Sequence, residues 1–309
     1  MQGVDSVLDY LLTAPAEVEA LTDVPQAWQR HRDTAAAFEV PVDAALACGF
    51  GADRLGYAFL SGYQAALRAL LPQLPPGELV SLCATEQGGG HPAAIRTTVT
   101  ERDGHWLVDG TKTFATLGEP AERLVVIGTA GTDGDGRNRL AALLVDTDQP
   151  AVARTPLPET PFIPEIPHAT VTFAGARAEM LPGDGYSGYL KPFRTIEDIH
   201  VLAAALGWLI RMGRRGTVAR SLLEQLLADA AALRDLARAS ASSPGVHIAL
   251  GGVLARFDEL PRMTAPIWAA AEPEDVRRWE RDLPLLRVAG KVRGLRLASA
   301  WQSVHAPAL

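Results

Sequence analysis

Hydropathic periodicity changes twice along this chain of 309 residues, and that double change limits the fold more than any single motif. Up to about Leu71 the sequence is rich in Ala and Leu. Leu60, Tyr63, Gln64, Leu67, Leu70 and Leu71 recur at spacings of three and four, which sets them on one helix face. Pro72, Pro75, Pro76 and Gly77 end that pattern. Short strand-like runs follow as far as about Pro182. Thr97–Thr100 is β-branched throughout, and Asp103-Gly104 separates it from His105-Trp106-Leu107-Val108, a hairpin signal. Asp109-Gly110 reads as a second turn. Leu124–Ile127 and Leu140–Val145 are apolar runs flanking a Gly- and Asp-rich loop, and His168–Phe173 alternates as a further strand.

From about Lys191 the helical period returns. Ile196, Ile199, Ala203, Leu206 and Ile210 form one stripe. Leu222, Leu223, Leu226, Ala230, Leu233 and Leu236 form a second, and Leu285, Val288, Val292 and Leu295 a third. Pro261, Pro266, Pro273 and Pro284 limit helix length here. Short, regularly spaced strands without intervening helices suggest a closed, barrel-like or sandwich-like antiparallel unit rather than a βαβ fold, and the amphipathic stripes after it predict a bundle. The expectation is an α+β chain with an N-terminal helical domain over 1–76, a middle β domain over 77–186 and a C-terminal helix bundle over 187–309.

Composition narrows the function classes. A net charge of −7 argues against general binding of nucleic acid or anionic membranes. No uncharged apolar run approaches the roughly 18 residues of a membrane span. The two cysteines, Cys48 and Cys83, cannot build a disulfide framework or a thiolate metal site, and no metal is expected. With Asp5 and Asp9 and no basic run, the first twelve residues do not read as a secretory signal. A cytoplasmic protein is expected. No Gly-x-Ser-x-Gly elbow is present for nucleophilic chemistry.

Two segments carry the chemistry. In Thr85-Glu86-Gln87-Gly88-Gly89-Gly90-His91-Pro92 three glycines allow close backbone approach to a ligand, although such a run alone also reads as a surface turn. It lacks the Gly-Lys-Ser/Thr ending of a phosphate-binding loop. In Gly110-Thr111-Lys112-Thr113-Phe114-Ala115-Thr116, a strand sets Phe114 and Thr116 on one face. An aromatic plane beside a hydroxyl suits a flat heteroaromatic ligand.

In this order and spacing the two segments resemble the middle-domain motifs of the acyl-CoA dehydrogenase family, Thr-Glu-Pro-x-Ala-Gly-Ser-Asp and Gly-x-Lys-x-Trp/Phe-Ile-Thr. The helix–β–helix order agrees, and Gly183-Asp184-Gly185-Tyr186 leading to Ala205-Leu206-Gly207 resembles the family's entry to its bundle. The resemblance covers about residues 80–210. It implies FAD as cofactor, with Thr85 and the backbone near Gly90 approaching the flavin, Phe114 packing on its ring system and Thr116 bonding near its reactive nitrogen. Here Gln87 replaces Pro, His91 and Pro92 replace Ser and Asp, and Leu117 replaces Asn. His91 reads as a cofactor contact (a neutral donor or a cation near phosphate) or as a plain loop histidine. The resemblance further implies α,β-dehydrogenation of an acyl thioester, carried on coenzyme A or an acyl carrier, by a homodimer or homotetramer.

In some members the catalytic base lies on the first bundle helix, ten residues before the Gly of a Leu-Gly pair. That count leads back from Gly207 to Glu197, the candidate general base. Its alternative reading is a first-turn acid complementing the helix dipole. Asp198 stands where the family has Arg. The family's Arg-x-x-Phe-Gly segment has no clear equivalent, and only Gln302 remains of its late Gln-x-x-Gly-Gly segment. A basic stripe, Arg287, Lys291, Arg293 and Arg296, reads either as a solvated face partnered by Glu280 and Asp282, or as a contact for pyrophosphate or a partner subunit. Two alternatives therefore accompany the dehydrogenase: a flavin-free or catalytically silent relative that binds an acyl thioester or a partner protein, and a non-redox enzyme acting on a thioester with Glu197 or His91 as base.

Overall fold

The computed structural model describes residues 6–216 and 218–305, which divide into two compact units. The helical unit draws on Met1–Ala69, Pro161–Ile163 and Thr195–Leu309, and the β unit on Leu70–Thr160 and Pro164–Arg194.

In the helical unit, α1 (Val7–Thr13), α2 (Val24–Ala35), α3 (Pro41–Phe50) and α4 (Leu55–Leu70) come first. Ser6 caps α1 by accepting from the Leu8 N–H, and Asp23 caps α2 by accepting from the Gln26 N–H. The long helix α5 (Lys191–Arg215) then begins directly after a π-turn over Tyr186–Leu190. From Ile199 to Met212 nearly every side chain of α5 is buried, as expected of a central helix rather than an amphipathic one. Close helix approach depends on missing side chains. A Cβ on Gly49 would lie 2.1 Å from the Ala204 carbonyl oxygen, one on Gly207 2.0 Å from that of Leu46, and one on Gly62 2.6 Å from Val201 Cα.

The chain continues as α6 (Arg220–Leu236), α7 (Pro244–Asp258), α8 (Leu260–Met263), α9 (Ala265–Ala269), α10 (Pro273–Asp282) and α11 (Gly290–His305). Pro261, Pro266 and Pro273 each sit in the first turn of a new helix, where a missing N–H costs nothing. The stripe through Val288, Val292 and Leu295 is exposed, at 66%, 46% and 65%, contrary to its reading as a core face. Period identifies a face but not its partner, and α11 buries Ala300 instead.

The β unit has seven strands: β1 (Val80–Cys83), β2 (Thr98–Arg102), β3 (His105–Thr116), β4 (Arg123–Thr132), β5 (Asn138–Asp146), β6 (Val152–Pro156) and β7 (His168–Met180). The order β4-β2-β3-β7-β5 closes through β4–β5 pairing, with β1 joining β4 in parallel and β6 edging β7. Alternation buries Val99, Val108, Val126, Leu143, Val171 and Phe173 inside. Asp103 and Gly104 both have positive φ, as a two-residue hairpin turn requires. Asp109-Gly110 is not a turn. It continues β3 at a register shift, where Gly110 passes so close to Thr97 that a Cβ would sit 2.7 Å from it.

Candidate flavin-type site

A second register shift positions the most distinctive side chain. Lys112 pairs with Val171 and Ala115 with Ala169, so Thr113 and Phe114 together oppose Thr170 alone. This bulge reverses the inside–outside parity of β3. Lys112 and Ala115 are both fully buried, while Phe114 turns outward at 42% exposure. Thr116, two residues on, shares its face and is half-buried. One side of the Phe114 ring is taken by His168, with centroids 4.3 Å apart. Burial lowers the His168 pKa, against a hydrogen bond with Ile166, and so favours the neutral ring.

The Thr85 segment lies against this strand. Thr85 and Phe114 form an antiparallel bridge, and Thr113 N–H donates to the Thr85 carbonyl at 2.9 Å. The chain then turns back at Glu86–Gly89, closed by Gly89 N–H to Glu86 O at 2.7 Å, with Gly89 at φ +90. A Cβ on Gly90 would stand 3.7 Å from the Thr85 hydroxyl, so these two predicted residues are neighbours. His91 is exposed, and its Nδ1 accepts from Ala93 N–H at 3.2 Å, which leaves the Nε2 side of the ring for a ligand.

Four further residues complete the site, and none was assigned a role from sequence. Glu86 is buried and accepts from Arg96 N–H (2.7 Å), Thr97 N–H (3.1 Å) and Lys112 Nζ (2.6 Å). Lys112 also donates to the Ile127 carbonyl at 2.5 Å. Burial would raise the Glu86 carboxyl, yet Lys112 beside it and the two backbone donors hold it below the usual range. Burial holds the Lys112 ammonium below its own ordinary value, against the pull of Glu86. Arg194 donates to the Gly90 carbonyl at 2.8 Å, and His168 backs the Phe114 ring. Both motif glutamate and motif lysine were visible as residue types. That they meet inside the barrel is a tertiary fact with no local signature.

Leu117, at the family's Asn position, adopts φ 58 while fully buried, a left-handed conformation that costs a non-glycine residue about 1–2 kcal/mol. Asn tolerates that backbone better, which gives the departure from the motif a physical content.

Glu197 belongs to the helical unit, half-buried on α5. No acid lies in the first turn of α5, so its reading as a dipole-complementing acid does not hold. Asp198 is buried and takes Arg293 at 2.7 Å and Arg296 at 2.6 Å. Arg293 and Arg296 are therefore not part of a solvated face partnered by Glu280 and Asp282, whereas Arg287 and Lys291 of the same stripe are exposed. Asp282 instead accepts from Ile163 N–H at 2.7 Å and from Arg281.

Residues 81–176 match the family model described as acyl-CoA dehydrogenase, middle domain. The chain is 27% identical over 146 residues to benzylmalonyl-CoA dehydrogenase of Aromatoleum aromaticum, covering 45% of this chain and 37% of that protein. It is 34% identical over 93 residues to cyclohexane-1-carbonyl-CoA dehydrogenase of Geobacter metallireducens, covering 29% and 24% respectively. These alignments thus span well under half of the relatives' own lengths. Among solved structures, glutaryl-CoA dehydrogenase from Mycobacterium smegmatis superposes with a TM-score of 0.69 at 16% identity, covering 98% of this chain and 94% of that one. The helices, closed β unit and following helices are an acyl-CoA dehydrogenase fold. Residues 81–176 are similar to that family's middle domain, and the chain as a whole shares the family's fold.

Proposed function

We propose that the protein is a flavin-dependent oxidoreductase that introduces a double bond between the α and β carbons of an acyl thioester. The observation that carries this reading is Phe114, an aromatic ring that the β3 bulge turns out of the barrel and leaves 42% exposed beside Thr116. That surface fits a flat ring system: Phe114 would stack on it, with His168 fixing the ring from behind, and the Thr116 hydroxyl would bond to a ring nitrogen. Thr85, the backbone at Gly90 and His91 Nε2 would meet the polar part of the cofactor, FAD by family resemblance. Bound there, the flavin supplies hydride acceptance at the β-carbon. The chain's own chemical task is removal of the α-proton, which we assign to a Glu197 carboxylate oxygen. The substrate would be an acyl-CoA or acyl-carrier thioester, handled by a homodimer or homotetramer.

The replacement of the family's Ser and Asp by His91 and Pro92, with His91 Nδ1 already spent on Ala93, favours a second reading. In it the fold binds a thioester or a partner protein without flavin. Purified protein decides between them. The first reading expects the visible absorbance of flavin, a released molecule with the mass of FAD, and at least tenfold weaker retention in Phe114→Ala. It also expects Glu197→Gln to keep the flavin while abolishing exchange of the substrate α-proton with solvent deuterium. Colourless protein that takes up no added FAD would establish the second reading. Full exchange in Glu197→Gln would remove the assigned base.

A further inference from the structure

In the helical unit, α7 and α11 border a cleft of about 400 Å³. Glycines create the space: a Cβ on Gly290 or Gly294 of α11 would meet nothing within 4 Å. Leu254, Leu286 and Leu297 give the cleft a hydrocarbon lining. Arg287, Arg293 and Arg296 bring cations to the same space.

The charges there do not balance. Arg293 and Arg296 are only 12% and 14% exposed, and both close on Asp198, at 8%. One carboxylate neutralises one guanidinium. Arg287 has its own acid, Asp258, at 3.7 Å. His247, the remaining titratable group on the lining, shares its Nε2 with the Ala241 carbonyl at 2.8 Å. Three arginines against two carboxylates leave one positive charge in a wall otherwise made of leucine, alanine and glycine. An excess charge held away from bulk water favours an anionic partner. Arg296 spends one N–H on Thr195 Oγ1 and one on Asp198, so three of its five donors remain in a planar fork that suits a pair of oxygens.

We propose that this cleft binds a monoanionic organic carboxylate, its charge on Arg296 and Arg293 and its apolar body along the leucines. The single excess charge selects a monoanion, and the hydrocarbon lining selects an aliphatic or aromatic body over a small inorganic ion. The volume is that of an ordinary small-molecule pocket. This site does not depend on the flavin reading, since every residue of it lies in the helical unit.

The test is calorimetric titration of the full chain with octanoate, using 1-octanol and inorganic phosphate as controls. Octanoate binds at one site, and each control binds at least tenfold more weakly. Arg296→Gln removes the excess charge yet leaves Asp198 one guanidinium, and it lowers octanoate affinity about tenfold or more with the helical circular dichroism unchanged. Should that variant fail to fold, Gly294→Leu fills the cleft with all three arginines intact and abolishes the octanoate heat. Octanol binding as tightly as octanoate, octanoate affinity unchanged in a folded variant, or no octanoate heat with the native chain would each overturn the proposal.

Discussion

Lys112 shows how much one side chain can organise. Fully buried, it joins β3 to the Ile127 carbonyl on β4 and to Glu86, whose carboxylate in turn holds the N–H groups of Arg96 and Thr97. The glycine turn is thereby enclosed between two anchored points, and its end is tied to the strand that presents Phe114. A buried pair of this kind adds little net stability over an apolar pair, but deletion of one partner strands the other charge and costs about 3–5 kcal/mol. Lys112→Met is therefore expected to lower stability by that order in urea unfolding. The double variant Glu86→Gln with Lys112→Met should recover a large part of the loss. A single variant with unchanged midpoint would show that the pair is not closed in solution.

At the scale of elements, local rules and tertiary geometry divide the description. Turn chemistry located the β2–β3 hairpin, because Asp103-Gly104 must adopt positive φ whatever surrounds it. Apolar stripes located α4, α5 and α6, although only α6 is buried on one face and α5 is buried nearly all round. Two features escaped that logic. The Asp109-Gly110 pair has turn chemistry but is used for a close crossing with Thr97, and the Phe114 bulge depends on β7 register. For the candidate site, motif order supplied Thr85, Gly90 and Phe114, whereas Glu86, Lys112, His168 and Arg194 emerged only when distant segments met. The glycine crossings belong to this scale too. Gly49 and Gly207 lie on α3 and α5, each so near the other helix's backbone that an added methyl would stand 2.1 Å and 2.0 Å from a carbonyl oxygen, well inside non-bonded contact. Gly207→Ala must push the helices apart, and backbone cannot yield as a side chain does. A loss of roughly 1–3 kcal/mol or more is expected by thermal unfolding, with Gly49→Ala similar and the exposed Gly134→Ala near neutral.

For the whole molecule, buried histidines set the acid limit. Burial pushes His31 down to about 3, with Arg68 adding to it, and His200 down to about 4. Between those values and the ordinary histidine pKa of about 6.5, the unfolded chain binds protons that the native chain refuses. Stability therefore falls as pH drops below about 6.5. Two such groups remove about 4 kcal/mol by pH 5, on the order of 1.4 kcal/mol per group per pH unit. Both lie in the helical unit, as do five of the six tryptophans, so urea midpoints followed by tryptophan fluorescence at pH 7 and pH 5 measure the effect. His200→Gln, which keeps a donor for the Ile196 carbonyl, should flatten that dependence. An unchanged midpoint at pH 5 would mean that these rings take up protons in the native state.

The order in which the helical unit is assembled has its own consequence during synthesis. The chain passes between the two units four times, at residues 69–70, 160–161, 163–164 and 194–195. Gly49 therefore leaves the ribosome 155 residues before Ala204, the residue it fits. At about 5–20 residues per second that is a wait of roughly 8–30 s. Until then the faces of α3 and α4 that fit against α5 at Gly49 and Gly62 have no α5 to cover them.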